Sequence, residues 1–152
     1  MKTLKVLVLV NVILFFAGCT KNNNANLQYG EAVLGGCNLK SVQKSDDEGK
    51  NDAVIITTSK DSIHIFVGLN YTCKADPFET RCEIINDIVY MHLIDSCHNI
   101  DYCYFKCMCY YTFDFLFKRS TEGGIDCKYN VILDNLQSGN SDIIFEGIIR
   151  AE

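Results

Sequence analysis

The chain of 152 residues carries 14 basic and 19 acidic residues, a formal charge of −5. An acidic chain lacks the basic patches that nucleic acids and anionic lipid headgroups need, so we expect neither as a partner. The length suffices for one domain with a single hydrophobic core.

The first 19 residues have the pattern of an export signal. Two lysines precede the apolar run 6–16, and small residues then lead to Cys19. The run is too short for a transmembrane helix, which needs about 20 apolar residues. The ending FAGC at 16–19 resembles the lipobox of bacterial lipoproteins, in which the cysteine is lipidated and becomes the mature N-terminus. The resemblance implies a signal peptide over 1–18 and acyl chains, palmitate among them, on Cys19; ordinary signal cleavage is the alternative.

Residues 19–30 are predicted to be the lipidated N-terminus and a flexible tether. The stretch TKNNNANL at 20–27 is polar and unpatterned, as expected of a solvated segment. By resemblance to lipoprotein sorting rules, the lack of aspartate at position 20 favours the outer membrane of the cell envelope, at either its periplasmic or its surface face. The folded domain is then predicted over 31–152.

Short runs rich in β-branched and aromatic residues follow. In the longest, 104–117, alternation places the odd-numbered residues from Cys107 to Phe117 on one face. Helical periodicity is not convincing anywhere. Six to eight short strands with frequent turns predict an all-β, mostly antiparallel, immunoglobulin-like sandwich. The predicted strands are 53–58, 61–67, two strands within 82–94 divided by a turn at Asn86-Asp87, then 104–117, 127–133 and 142–149.

Eight cysteines remain once Cys19 is assigned to lipid, and an even number in an exported chain predicts disulfides. On one strand, Cys107 and Cys109 would have Cα atoms about 6.5–7 Å apart, at or beyond disulfide reach. Each should therefore pair with a neighbouring segment, although the sequence does not fix the pairing. The disulfide candidates are Cys37, Cys73, Cys82, Cys97, Cys103, Cys107, Cys109 and Cys127.

Metal ligation by Cys103, Cys107 and Cys109, with His98 nearby, is the first alternative to disulfides. The sequence lacks the paired knuckles typical of zinc sites, and export favours oxidation over thiolate coordination. A reactive dithiol is the second alternative, but the sequence has no Cys-x-x-Cys. We therefore predict structural disulfides, no metal and no cofactor.

Catalytic motifs are not found in the sequence, which has no Gly-x-Ser-x-Gly elbow, His-Glu-x-x-His or phosphate-binding glycine loop. A glycan-directed hydrolase would need a pair of carboxylates, and the candidates are Asp95, Asp101 and Asp114. Since a charged rim is the usual explanation for such residues, we predict that the chain is not an enzyme.

Three tyrosines near the cysteines, Tyr102, Tyr104 and Tyr110, are candidates for an exposed binding surface. Tyrosine on a rigid sheet is a good anchor for a protein partner or a sugar ring. The alternative is that these tyrosines only stabilise the sheet as cross-strand pairs.

The lipobox, CMCYY at 107–111 and YNVI at 129–132 resemble a group of small, cysteine-containing lipoproteins from Bacteroidetes, although Thr112 stands where that group commonly has aspartate. The resemblance implies a β-sandwich at the cell envelope and carries no catalytic residue across. We therefore expect a non-enzymatic binding or interaction module, attached to the membrane by lipid, with an unknown protein or glycan partner. An anchored inhibitor of a lysozyme or protease, and a glycan-directed hydrolase, are the alternatives.

Overall fold

The computed structural model describes residues 27–37, 51–119 and 124–151. The predicted signal peptide and the lipidation site Cys19 lie outside these ranges. Among the described residues, no helix has the length and hydropathy needed to cross a membrane. In chain order the elements are β1 (Leu27–Cys37), β2 (Ala53–Thr58), β3 (Ser62–Lys74), β4 (Glu79–Ile85), β5 (Ile88–Asp95), α1 (Ile100–Cys103), β6 (Tyr104–Arg119), β7 (Ile125–Asn135) and β8 (Asn140–Ala151).

The strands form two four-stranded sheets, with orders β1-β6-β3-β2 and β4-β5-β7-β8. Neighbouring strands in the described ranges are antiparallel, except that β5 and β7 run parallel. The predicted all-β, mostly antiparallel sandwich of six to eight strands is confirmed.

The core lies between the two sheets and is filled by every second residue of the central strands. On β6, Phe113, Phe115 and Phe117 are each no more than 1% exposed. Burying each of these side chains contributes roughly 1.5–3 kcal/mol. A slip of one residue would turn them all to solvent, so the alternation also fixes the register. The same cluster includes Ile63, Ile65 and Val67 of β3 and Val89, Met91 and Leu93 of β5.

The hairpin between β4 and β5 turns on Asn86 and Asp87, whose φ angles are 50° and 63°. Both angles lie in the left-handed region that a type I′ turn requires, which Asn and Asp tolerate better than most other residues with a Cβ. The predicted division of 82–94 at this dipeptide is confirmed.

The predicted tether, 19–30, is wrong at its end, because β1 begins at Leu27. Leu27 is buried, and β1 pairs with β6 from Leu27↔Arg119 to Cys37↔Tyr111. The strand sequence LQYGEAVLGGC contains three glycines and no regular alternation. Pairing with the long central strand therefore outweighs a weak local propensity, and the folded domain includes residues 27–30.

Candidate functional site

One end of the sandwich holds a group of cysteines and a buried ion pair. There β3 and β5 end, and α1 leads into β6. We call this region, which comprises residues 71–78 and 95–111, the cysteine-rich end. It contains the segment in which the sequence analysis placed its binding and metal candidates.

A buried ion pair occupies the centre of the cysteine-rich end. The Lys74 Nζ lies 2.6 Å from Asp95 Oδ1, and both side chains are 0% exposed. The same ammonium lies 4.1 Å above the ring of Phe78. Asp95 also accepts hydrogen bonds from the hydroxyl groups of Tyr71 at 2.8 Å and Tyr104 at 2.6 Å. Because buried charges are costly unless paired and hydrogen-bonded, this network joins β3 and β6 of one sheet to β5 of the other.

The hydrogen bonds of this network favour an ionised Asp95 carboxylate and neutral phenols on Tyr71 and Tyr104. Burial raises the pKa of the Asp95 carboxyl, but hydrogen bonds from Lys74, Tyr104 and Tyr71 outweigh burial and hold that pKa below its ordinary value. Burial, followed by the Asp95 carboxylate, raises the pKa of the phenols of Tyr104 and Tyr71. At neutral pH the carboxylate is therefore ionised and both phenols are neutral donors, as a structural network requires.

Two disulfides flank the start of β6. Cys97–Cys103 closes a short loop around α1, with a Cα–Cα distance of 5.9 Å. Cys73–Cys107 joins β3 to β6, with a Cα–Cα distance of 5.4 Å, and Cys109 is also disulfide-bonded. The prediction that Cys107 pairs with a neighbouring segment rather than with Cys109 is confirmed.

Two of the predicted disulfide cysteines, Cys82 and Cys127, are free thiols, so the prediction is wrong for them. They lie on β4 and β7, which β5 separates, and two strand spacings of about 4.8 Å exceed disulfide reach. Burial raises the pKa of the Cys82 thiol to about 12 and that of Cys127 to about 11. Both side chains are partly buried and pack against the core. The side chain of Cys37 lies outside the described residues.

The start of β6 bulges out of the sheet. Thr72 of β3 pairs with Met108 of β6, and the next pair is Lys74 with Tyr104. Between these pairs β6 has two more residues than β3, so the extra chain must leave the ladder. Three large apolar side chains are exposed along the resulting 102–108 segment: Tyr102 at 79%, Phe105 at 53% and Met108 at 58%.

Of the three tyrosines predicted to form a binding surface, Tyr102 is exposed. Tyr104 directs its hydroxyl to the buried Asp95. Tyr110 lies across Gly68, where an added Cβ would be 1.8 Å from the tyrosine hydroxyl, and burial raises the pKa of its phenol. Tyr104 and Tyr110 are thus half-buried, and Tyr102 is the most exposed of the three. Phe105 was not predicted to be exposed, because strict alternation places it on the inward face with Cys107. Met108 was not singled out, although the same alternation places it on the outward face.

Asp114 lies far from the other two candidate hydrolase carboxylates, which differ from each other in burial. Asp95 is buried in its ion pair, whereas Asp101 is exposed on α1. Asp114 lies 3.7 Å from His64 on the other face of β6, ten residues along the strand from Tyr104. The residues of β3 that pair with Asp114 and Tyr104 are Phe66 and Lys74, eight residues apart. At about 3.3 Å per residue that separation is roughly 26 Å, whereas glycosidase carboxyls lie within about 10 Å of each other.

A second polar cluster lies on the β4-β5-β7-β8 sheet. His92 Nδ1 is 2.7 Å from Asp134 Oδ2, and Ser141 Oγ donates to Asp134 Oδ1 at 2.5 Å. In a catalytic triad the serine hydroxyl donates its hydrogen bond to the imidazole, which then takes its proton. The Ser141 hydroxyl instead donates its hydrogen bond to the Asp134 carboxylate. Burial raises the pKa of Asp134, but the hydrogen bonds from Ser141 and His92 outweigh burial and lower it. The cluster therefore ties β5, β7 and β8 together.

The described residues contain one group with the spacing of metal ligands, formed by Cys73, Cys107 and Cys109. All three are disulfide-bonded, and metals bind thiolates rather than disulfide sulfurs. In this oxidised state the group holds no metal ligand. His98, the predicted neighbour, does not belong to it.

No protein-family model matches the chain, and the comparisons with curated proteins and with solved structures give no match either. The function is therefore inferred from the chemistry of the cysteine-rich end.

Proposed function

We propose that the protein is a non-enzymatic lipoprotein of the bacterial cell envelope, whose β-sandwich binds a protein partner through the 102–108 segment. The observation that carries the binding role is the exposure of Tyr102, Phe105 and Met108 on a segment anchored by disulfides. The lipobox at 16–19 supports attachment of Cys19 to the membrane by acyl chains, with the outer membrane favoured. Several acyl chains make such attachment effectively permanent.

The chemistry of the exposed side chains suits a protein partner. Aromatic residues and methionine are enriched at protein interfaces, where they fill pockets on the partner. Phe105 and Met108 offer no hydrogen-bond donors for the hydroxyl groups of a sugar, which disfavours a glycan. Clusters of exposed apolar residues on soluble domains mark interaction sites more often than isolated ones do.

The anchoring of the segment favours affinity. Cys103 and Cys107, at either side of Phe105, are tied to Cys97 and Cys73. A segment that is ordered before binding loses less conformational entropy when it meets its partner. The buried Lys74–Asp95 pair also holds this segment in place, because the Tyr104 hydroxyl donates a hydrogen bond to the Asp95 carboxylate.

The test compares two serine variants of the exported chain in binding to detergent-solubilised envelope proteins of the producing bacterium. Phe105→Ser changes the segment, and Ile143→Ser is the matched control, since Ile143 is 57% exposed on β8. We expect saturable binding that weakens about tenfold or more in Phe105→Ser, as for a hot-spot residue, and that is unchanged in Ile143→Ser. Equal binding by the two variants would contradict the proposal.

An anchored inhibitor of a lysozyme or protease is the second candidate, favoured by the same rigid, protruding segment. An inhibitor gains affinity by presenting a preorganised segment to an enzyme cleft. We expect the wild-type domain to inhibit such an enzyme stoichiometrically and Phe105→Ser to lose inhibition, as measured by enzyme activity and co-elution. Full activity of every enzyme tested, without co-elution, would remove this candidate and leave the general binding role standing.

A further inference from the structure

Three sulfur atoms meet inside the cysteine-rich end. Cys73 and Cys107 form one disulfide, and Cys109 belongs to another. The Sγ of Cys109 lies 2.8 Å from the Sγ of Cys73, and all three Sγ atoms lie within 4.8 Å of one another. The two disulfides are therefore in direct contact through Cys73 and Cys109.

The strand register explains this contact. Tyr71 pairs with Cys109 and Thr72 with Met108, and the register then shifts between Thr72 and Lys74. Cys73 therefore lies at the edge of the bulge, beside both Cys107 and Cys109. Directly opposed and diagonal residues on one face of a sheet are both within reach of a side chain. One cysteine of β3 thus faces two cysteines of β6, and either is a geometrically available partner.

We propose that these sulfurs form a thiol-exchange site, in which Cys73 changes its partner from Cys107 to Cys109 when a small thiol attacks Cys107. In the first step the thiolate of the small thiol bonds to the Sγ of Cys107. The Cys73–Cys107 bond breaks, and its electron pair leaves on Cys73. In the second step the Cys73 thiolate bonds to the Sγ of Cys109, and the former partner of Cys109 leaves as a thiolate.

Bonds and electrons balance over the two steps. Two disulfides and one thiolate enter, and two disulfides and one thiolate remain, so no separate oxidant or reductant is needed. The incoming thiol ends as a mixed disulfide on Cys107. Cleavage of the Cys73–Cys107 disulfide therefore leads to cleavage of the more buried disulfide of Cys109.

Burial sets the order of the steps. Cys73 is 4% exposed and Cys109 is 3% exposed, and Cys107 is the least buried of the three. A thiol from solvent therefore meets Cys107 first. The second step is intramolecular between sulfurs already in contact, and such proximity gives it a large advantage over attack by a second solvent thiol.

The other described disulfide provides an internal control. The sulfurs of Cys97 and Cys103 belong to no group of three ligand-type residues within the part of the chain that the structure describes. Opening Cys97–Cys103 would therefore not leave a thiol in a three-sulfur group of the kind that surrounds Cys73, as far as the described residues extend. If the proposed binding role is correct, exchange at Cys107 would also release the 102–108 segment from β3; the exchange itself does not depend on that role.

The experiment treats the native exported chain with increasing concentrations of reduced glutathione, quenches it in acid, alkylates free thiols and maps the peptides without reduction. We expect a Cys73–Cys109 linkage to appear together with glutathione on Cys107, in equal amounts. Opened Cys97–Cys103 should give no new linkage. Glutathione on Cys107 with alkylated Cys73, or failure of the folded chain to react at Cys107, would overturn the proposal.

The variant Cys107→Ser gives a second test without added thiol. It leaves the Cys73 thiol against the Cys109 disulfide, so we expect the Cys73–Cys109 linkage to form spontaneously in chains whose circular dichroism matches the wild type. Alkylation of Cys73 as a stable thiol in those folded chains would overturn the proposal. If the variant does not fold, the glutathione experiment on the wild-type chain decides.

Discussion

The ammonium of Lys74 lies 2.6 Å from the carboxylate of Asp95, with both side chains excluded from solvent. Lys74 is the last residue of β3 and Asp95 is the last residue of β5, so this one contact joins the two sheets where the 102–108 segment leaves the sandwich. Tyr104 donates to the same carboxylate. Through Tyr104, the exposed 102–108 segment is therefore hydrogen-bonded to the buried pair.

Removing one partner of this pair should be strongly destabilising. Lys74→Met leaves Asp95 buried without its counter-charge, and we expect a loss of about 3–5 kcal/mol in the free energy of unfolding. The control is Arg81→Ala, which breaks the exposed Arg81–Glu83 pair, 3.5 Å apart, and should cost less than about 1 kcal/mol. Urea unfolding measures both; similar small losses would show that the Lys74–Asp95 pair is not structural.

The hydrogen bond from Tyr104 should give the domain a dependence on alkaline pH. Because the pKa of Tyr104 is raised in the folded chain, its stabilisation is complete below the unfolded tyrosine pKa of about 10 and is lost as pH rises above it. Tyr104→Phe should cost about 1.5–3 kcal/mol at neutral pH, as for a bond to a charged group. The difference from wild type should narrow above about pH 10; a constant difference in urea titrations would contradict the assignment.

The Asp134 cluster should confer sensitivity to acid. Its lowered pKa means that its stabilisation is present above the unfolded aspartate pKa of about 3.9 and is lost as pH falls through the lower folded value. Asp134→Asn should cost about 1–3 kcal/mol at neutral pH and flatten the loss of stability in acid. Thermal unfolding between about pH 2 and pH 6 tests this, and an unchanged acid slope would be inconsistent with it.

The two free thiols should be unreactive in the folded protein. With pKa values of about 12 for Cys82 and about 11 for Cys127, very little thiolate exists at neutral pH, and thiolate is the reactive form. We expect slow labelling by iodoacetamide in native buffer and full labelling of both residues in denaturant without reductant. Peptide mapping measures this; rapid native labelling, or a Cys82–Cys127 linkage, would contradict the structure.

Alternation of apolar residues predicted the architecture well, because burial of one face dictates a period of two. Phe113, Phe115 and Phe117 follow this rule. The turn at Asn86-Asp87 was predictable for another reason, because Asn and Asp tolerate the positive φ angles of a tight hairpin turn. The glycine-containing β1 was missed because its order comes from pairing with β6.

The candidate site was less predictable, because it depends on departures from regular pattern. The extra residues of β6 before Met108 reverse the expected direction of Phe105. The partner of Lys74 is 21 residues away, and no local pattern signals such a contact. The pairing of Cys73 with Cys107 likewise follows from a long-range register, whereas the isolation of Cys82 from Cys127 follows from the strand order.

Site-specific photo-crosslinking in the intact envelope would show directly whether the 102–108 segment is the binding surface. A photo-reactive phenylalanine analogue replaces Phe105 in one strain and Ile143 in another, both at exposed positions. We expect one dominant protein adduct from position 105, which is absent from position 143 and competed away by the wild-type domain. No adduct at position 105, or the same adducts from both positions, would contradict it.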